Sequence, residues 1–405
     1  MFEKDLQFRR FQLYGFLKNL RFFEPFLILF LLSSGLSYFQ IGVLYSIKSI
    51  ATNILEIPTG IVADLYGRKK SMLFSMGSYI VSFLIFYFSY SFYLYILAMI
   101  FFSFGEAFRT GTHKAMIFDY LRIKDIEHLK VQYYGSTRAA SQLGSALNSL
   151  LAAVIVFLSG DYRKIFAFTI IPYILNFINL ATYPNFLDKS DGKKSKTATL
   201  KDFVAAILDL KVLKIILNTS SYSGMFKSIK DYLQPILKTF ALSIPIFVSL
   251  DNEKRSSIII GLVYFVLYLL TSFASKNSWK IEKKSSAFAL NLTLIIGALS
   301  IVFAGLSYLF ELYLISIIIF VLLYVIENLR RPVSVSYISE NIKADAMASV
   351  LSVESQSTTL LTAIFSILVG YFADKFSIGT AISIAGLVLL IFSFFISIKG
   401  RKKTS

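Results

Sequence analysis

The chain has 405 residues and carries 41 Lys and Arg against 24 Asp and Glu, a net charge of +17, yet only 16% of its residues are charged. Hydrophobic residues make up 56% and aromatic residues 16%, and the mean hydropathy is +0.67. That composition excludes a disordered chain and argues against an ordinary soluble enzyme, in which about 25% of residues are charged. The absence of Cys excludes disulfides, thiolate metal sites and cysteine catalysis, and the two His, His113 and His128, exclude a His-rich metal centre.

A spanning helix needs about 20 predominantly apolar residues. Twelve such stretches follow one another, at 12–33, 40–62, 71–89, 92–115, 134–158, 164–186, 212–240, 256–275, 286–305, 309–329, 347–372 and 378–398. The first is interrupted by Lys18, Arg21 and Glu24, the seventh by Lys227, Lys230 and Asp231. With both termini placed in the cytoplasm, most basic loop residues fall on that side, among them Arg68, Lys69, Lys70, Lys193, Lys194, Lys283, Lys284, Arg401 and Lys402. The opposite loops hold only Arg163, Lys164, Lys254, Arg255 and Lys375. Such an asymmetry sets orientation, and it accounts for much of the net charge without a nucleic-acid partner. The first stretch has no small-residue cleavage site after it, so it reads as a retained helix and not a signal peptide. The expectation is an all-α, multi-pass protein of the plasma (inner) membrane with twelve transmembrane helices and both termini cytoplasmic.

The chain also repeats itself. Glu24-Pro25-Phe26-Leu27 resembles Gln234-Pro235-Ile236-Leu237, and Ile41-Gly42-Val43-Leu44-Tyr45 resembles Ile260-Gly261-Leu262-Val263-Tyr264. Glu106, Arg109 and Asp119 recur as Glu327, Arg330 and Glu340. Three matches in one order imply two six-helix halves, 1–187 and 212–405, joined by a Lys/Ser-rich cytoplasmic linker at 188–211.

After the second stretch comes Gly60-Ile61-Val62-Ala63-Asp64-Leu65-Tyr66-Gly67-Arg68-Lys69-Lys70. It resembles the loop 2–3 signature of the major facilitator superfamily, G-x-x-x-D-x-x-G-R-K, with Leu65 where a basic residue is common. With twelve stretches and a six-plus-six repeat, the resemblance covers the whole chain and implies that family's fold of two pseudo-symmetric six-helix bundles. Gly60 reads as a point of close helix approach and Gly67 as a tight turn. Asp64 reads as a charge that needs a partner or a helix N-terminus. By resemblance the loop, Lys69 included, latches the two halves in an outward-open state, with Asp64 facing the start of span 11 and Arg68 pairing with Asp119. Arg109 loosely resembles the family's span-4 arginine, without the usual glycine spacing after it. In the second half Trp279–Lys284 stands where the signature would be. Drug antiporters of this family carry a Gly-Pro-rich motif in span 5. Ser141–Asn148 has no Pro, which argues against a multidrug/proton antiporter (efflux), kept as the alternative reading.

The resemblance also implies that spans 1, 4, 7 and 10 line a central cavity. A charge inside a span must face water or protein, because lipid exposure costs several kcal/mol. In span 7, Ser220, Ser223, Lys227, Lys230, Asp231 and Gln234 fall at helical spacing, a polar stripe that is either a cavity wall or a surface packed on partner charges. Arg21 and Glu24 lie three apart in span 1 and match Asp231 and Gln234 through the repeat. Glu24 is the candidate proton-coupling carboxylate, since burial favours its neutral form; the plain alternative is an Arg21–Glu24 pair. Pro25 and Pro235 are expected to kink their helices. Lys48 either faces a cavity or snorkels to the interface. Glu106–Arg109 and Glu327–Arg330 read as i, i+3 pairs used in packing or gating. Arg138 and Glu354 are candidate gates, and His113 a candidate pH sensor. The many Phe and Tyr residues read mostly as lipid-facing surface and interfacial belt.

No nucleophile–base pair, P-loop or metal cluster is visible, so neither an enzyme nor a cofactor is expected. Arg21, Lys48, Lys227 and Lys230 outnumber Glu24 and Asp231, which tilts the solute toward an anion or zwitterion. The reading is a monomeric secondary active transporter in the lipid bilayer, moving a small solute by alternating access, with protons as a candidate coupling ion and the choice between uniport, symport and antiport open.

Overall fold

A computed structural model describes residues 4–188, 209–277, 286–342 and 344–398. Residues 189–208 of the expected linker and the segment Trp279–Lys284 lie outside these, as does the side chain of Asp64. Among the described residues there is no strand. Helices run in chain order as α1 (Leu6–Leu17), α2 (Leu27–Ser33), α3 (Tyr38–Tyr66), α4 (Arg68–Phe88), α5 (Phe92–Arg109), α6 (Thr112–Ile123), α7 (Lys130–Ser159) and α8 (Lys164–Ala181). They continue as α9 (Leu210–Ile229), α10 (Leu233–Ser243), α11 (Asn252–Asn277), α12 (Ser286–Leu309), α13 (Tyr313–Asn341), α14 (Ala344–Lys375) and α15 (Ile378–Phe395).

Nine of the helical rods among the described residues are long and apolar enough to cross a membrane. The other three expected stretches are α3, and two broken rods, α1–α2 and α9–α10. Both breaks fall where charge interrupts the apolar run. The first rod leaves the helix after Leu17 and resumes as a one-turn 3-10 helix, Glu24–Phe26, with Pro25 at its start. The second rod ends at Ile229, makes a 3-10 turn at Lys230–Tyr232, and resumes in α10 with Pro235 in the first turn. The expected kinks are therefore full interruptions. Freed carbonyls inside a bilayer need partners, and each break has a tyrosine: Tyr173 Oη donates to the Lys18 carbonyl at 3.2 Å and Tyr324 Oη to the Lys230 carbonyl at 3.3 Å.

The chain divides into two compact units, 1–34 with 47–193 and 245–265, and 35–46 with 194–244 and 266–405. Helices α3 and α11 contribute to both. In the first unit α1 packs on α7 at two glycines. A Cβ on Gly15 would meet Ser141 Oγ at 2.5 Å, and one on Gly144 would meet the Phe16 carbonyl oxygen at 2.5 Å. Such close approach is how helices gain contact where lipid removes the hydrophobic drive between them. The interior of this unit is aromatic: Phe23, Phe83, Phe102 and Phe166 are at most 4% exposed, and Phe23 stacks on Phe166 with centroids 5.7 Å apart. The aromatic residues are thus not only a lipid-facing belt, as their number suggested; many fill the core, where rings gain from edge and offset contacts. In the second unit α12 and α15 meet at Gly305 and Gly379, and the Tyr222 ring lies on Gly297.

Gly144→Val should lower the stability of the purified protein by about 1–3 kcal/mol through overpacking against the α1 backbone. Gly135→Ala, on the same helix with nothing among the described residues within 4 Å of its Cβ position, should not. Thermal unfolding in detergent measures both.

Candidate functional site

Three charged groups, Arg21, Glu106 and Arg109, meet inside the first unit. Arg21 lies in the non-helical stretch between α1 and the 3-10 turn, so its side chain is not bound to a helical wheel. It reaches α5 and places Nη2 2.5 Å from Glu106 Oε1. Arg109, one helical turn along α5, places Nη2 2.5 Å from Glu106 Oε2. Tyr79 of α4 donates its hydroxyl to Glu106 Oε1 at 2.7 Å and accepts from Arg109 Nε at 3.2 Å. Arg21 Nε donates to Tyr173 Oη of α8 at 3.0 Å. Glu106 thus receives two arginines and a phenol while its side chain is 17% exposed. A carboxylate so desolvated is tolerated only because its lone pairs are filled by charge-assisted bonds.

Glu24 is not the buried carboxylate. Its side chain is 42% exposed and lies 3.4 Å from Arg21, a long contact beside the Arg21–Glu106 pair. The 3-10 turn at Pro25 directs Glu24 away from the place a continuous helix would give it. Lys48 does not snorkel: its Nζ lies 4.7 Å from the centre of the Phe102 ring of α5, and its charge acts on Glu106. Around Glu106 there are three nearby cations, Arg21, Arg109 and Lys48, and one further carboxylate, Glu24.

In the second unit the expected stripe is divided by the break after Ile229. Ser223 donates to both oxygens of Glu327 at 3.0 Å. Lys227 is exposed, with Glu327, Arg331 and Glu354 as its main charged neighbours. Beyond the break Lys230 pairs with Asp231 at 2.7 Å. Ser220 is spent on its own helix, donating to the Ile216 carbonyl at 2.6 Å, and Gln234 is fully buried. The stripe is therefore one open lysine beside two carboxylates, then a local ion pair, then a core amide. The expected Glu327–Arg330 pair does not form. Arg330, 2% exposed, donates instead to the carbonyl of Leu290, to Thr293 Oγ1 at 2.8 Å and to the Asn218 carbonyl at 3.0 Å. Asn218 and Thr293 supply neutral acceptors in place of a carboxylate, so the matching residue types do not keep their pairing.

At the loop signature, Gly67 takes a positive φ of 108°. Asp188 fills the space beside it, accepting from the backbone N–H of Lys69 at 2.9 Å and of Lys70 at 3.2 Å. This caps α4 with a carboxylate, which the helix N-terminus favours. Lys69 Nζ donates to the Tyr183 carbonyl at 2.6 Å. Arg68 is ion-paired with Asp119, which also holds Arg122 at 3.0 Å. Gly60 does not serve a close approach: a Cβ there would meet nothing within 4 Å among the described residues.

Tyr79, Tyr173, Asp188 and Asp374 escaped the sequence reading. Asp374, at the end of α14, accepts the backbone N–H of Tyr38 at 2.8 Å and of Phe39 at 2.7 Å, capping the start of α3. Gly370 and Gly42 permit the contact, since a Cβ on either would strike the backbone of Tyr38 or Ser366. The signal was present: Gly370-Tyr371-Phe372-Ala373-Asp374 repeats the G-x-x-A-D of Gly60-Ile61-Val62-Ala63-Asp64.

The chain is 24% identical over 271 residues to a protein of Bacillus subtilis (strain 168) described as an uncharacterized MFS-type transporter, YxaM, the match spanning 64% of this chain and 63% of that relative's length. Its fold is similar to a solved structure of a variant of the nucleoside transporter NupG, with a TM-score of 0.78 at 15% identity over 96% of this chain and 99% of the other. It is also similar to a POT family transporter solved with a thioalcohol-conjugated peptide, with a TM-score of 0.69 at 14% identity over 96% and 94% of the two chains. At such identities the structures speak for the fold alone. The sequence model of the Major Facilitator Superfamily matches residues 19–357, a stretch that takes in both broken rods, the Glu106 cluster and the loop signature. The chain is an integral membrane protein of the major facilitator superfamily.

Proposed function

We propose that this protein is a secondary active transporter that moves a small anionic or zwitterionic solute across the plasma membrane by alternating access, with protons as the coupling ion. The observation that carries the reading is the Glu106 cluster, a buried carboxylate held by two arginines with a third cation alongside. Protonating Glu106 removes one negative charge and frees a guanidinium, which then seeks another anion. Proton and solute anion therefore bind better together than apart, which is the linkage a symporter needs. The relatives named as moving nucleosides or binding peptides are consistent with a small polar solute. A drug antiporter draws less support, because charged side chains stand inside the spans of both units, Arg21, Glu106 and Arg109 in the first and Glu327 and Arg330 in the second.

Glu106→Gln should abolish solute accumulation driven by a pH gradient in proteoliposomes while leaving solute exchange at equal pH. Arg21→Gln, which leaves Glu106 with Arg109 and Tyr79, should reduce both by more than tenfold, as expected when a charged hydrogen bond of ~1.5–3 kcal/mol is lost. Unchanged gradient-driven accumulation in the Glu106 variant would remove it from coupling.

Asp374 fits a latch on the side of the membrane opposite the loop signature, holding α3 to α14 when that side is closed. The chain has no Cys, so single-cysteine labelling has no background. Ser366→Cys probes a site 3% exposed beside Gly42. Adding Asp374→Asn should speed its reaction with a membrane-impermeant maleimide by roughly 5–30-fold, corresponding to ~1–2 kcal/mol of lost capping. An unchanged rate would show that Asp374 does not hold this contact closed.

A further inference from the structure

A second charged feature of the first unit lies outside the Glu106 cluster. A cavity of about 200 Å³ opens between α1, the α5–α6 corner and α7. Its lining carries the cations Lys18, Arg109, Lys114 and Arg138 and, among neutral polar groups, Tyr14, Tyr134, Thr137 and Ser141; no Asp or Glu lines it. Among the described residues neither Lys18, Lys114 nor Arg138 has a carboxylate within ion-pair distance. The nearest carboxylate of the network, Glu106, is already engaged by Arg21 and Arg109. Lys18 and Lys114 have only aromatic rings beside them, Lys114 and Arg138 are exposed, and three cations without a carboxylate around so small a volume repel one another, so the arrangement persists at least cost when an anion sits among them.

Two further observations point the same way. Tyr14 is 1% exposed and borders the cavity, and its hydroxyl is buried without a hydrogen-bond partner. A buried hydroxyl left unmade is costly, and here it is a donor waiting for an acceptor. The His113 ring stacks on Tyr14 with centroids 3.7 Å apart and meets the Tyr183 hydroxyl at 3.2 Å, which holds the phenol in place. The second is the chain turn itself. Gly111, at φ 76°, follows the Thr110 cap of α5 and stands at the N-cap of α6, and no side chain of its own caps that start. The first helical bond of α6 is from Ala115 to the Gly111 carbonyl at 3.0 Å, so the N–H groups before Ala115 have no partner in the helix. Gly111, His113 and Lys114 line the cavity, and the positive end of the α6 dipole therefore borders it.

We infer that this cavity seats the anionic group of the transported solute, a carboxylate or phosphate carried on a small organic acid, with Lys18 and Arg138 as its charge partners and Tyr14 as a neutral donor. This rests on the transporter reading and adds to it a substrate class and a place. The volume suits an anion of a few heavy atoms and is below the 300 Å³ or more typical of drug-sized ligands. Arg109 belongs to both features: one guanidinium borders the cavity and holds Glu106, so an anion that draws on Arg109 loosens its hold on Glu106 and makes that carboxylate easier to protonate. The anion site and the proton site are then joined through one side chain.

The test measures binding and transport separately on the full-length protein. Inorganic phosphate, acetate and succinate are titrated against protein in neutral detergent, and phosphatidylglycerol is supplied in nanodiscs as the lipid arm. At least one soluble oxyanion should bind saturably, and Lys18→Gln and Arg138→Gln should each weaken it by roughly tenfold. Tyr14→Phe, which keeps the ring, should weaken it a few-fold, and Lys18→Arg should restore most of the affinity. Lys164→Gln, at the start of α8 and outside the cavity, should leave it unchanged. No saturable oxyanion binding, binding indifferent to Lys18 and Arg138, or occupancy by the lipid alone would overturn the inference. Gradient-driven uptake of a labelled organic acid that survives both substitutions would overturn the inference and spare the transporter reading. Oxyanion binding lost in both variants, with no uptake of any solute by the wild type, would keep the anion site and overturn the transporter reading.

Discussion

The low dielectric of the membrane interior makes the contact of Arg21 and Arg109 with Glu106 the interaction on which the first unit depends. Glu106 alone would cost several kcal/mol to bury, and so would either arginine. Together they share the cost, and Tyr79 and Tyr173 fill the remaining valences. The cluster ties four parts of the chain, the break in the first rod, α4, α5 and α8, into one polar node within an aromatic core. It also explains why the first rod is broken. A continuous helix through Arg21 would carry the guanidinium at a fixed azimuth, whereas the non-helical stretch before Glu24 lets it extend to α5.

The second unit solves the same problem otherwise. Its buried arginine, Arg330, is surrounded by carbonyls and by Asn218 and Thr293, and its carboxylate, Glu327, takes a hydroxyl from Ser223. Separating the two charges leaves Lys227 in the company of Glu327 and Glu354. The residue types of Glu106 and Arg109 recur as Glu327 and Arg330, yet among the described residues the two do not pair in the second unit. In the proposed cycle the first unit takes the anion and the proton.

Much of this was legible in the sequence, because the bilayer imposes simple rules. Apolar length gave the rods, basic loops gave an orientation to test, and G-x-x-x-D-x-x-G-R-K pointed to the family that the matched residues establish. Arg21, Lys48 and Arg109 are readable as charges that need partners. The partners themselves were less legible. The prominence of Glu24 came from helical spacing, and that spacing fails where the helix stops at Leu17. Gln234 failed for the same reason on the far side of Ile229. Arg330 could not be told from Arg109 by residue type, since Asn218 and Thr293 lie 112 and 37 residues away from it in sequence. Asp374 was hidden only by the habit of seeking a loop signature in loops; its G-x-x-A-D lies inside a span.

The central claim is that a small anion and a proton cross together. Proteoliposomes loaded with a pH-sensitive dye, given small oxyanions that do not cross the bare lipid, test it most directly. The account predicts that at least one such anion acidifies the lumen of vesicles holding the wild-type protein, and neither empty vesicles nor those holding Glu106→Gln. Acidification that is independent of the protein or of Glu106, or a proton flux elicited only by apolar cations moving the opposite way, would contradict it.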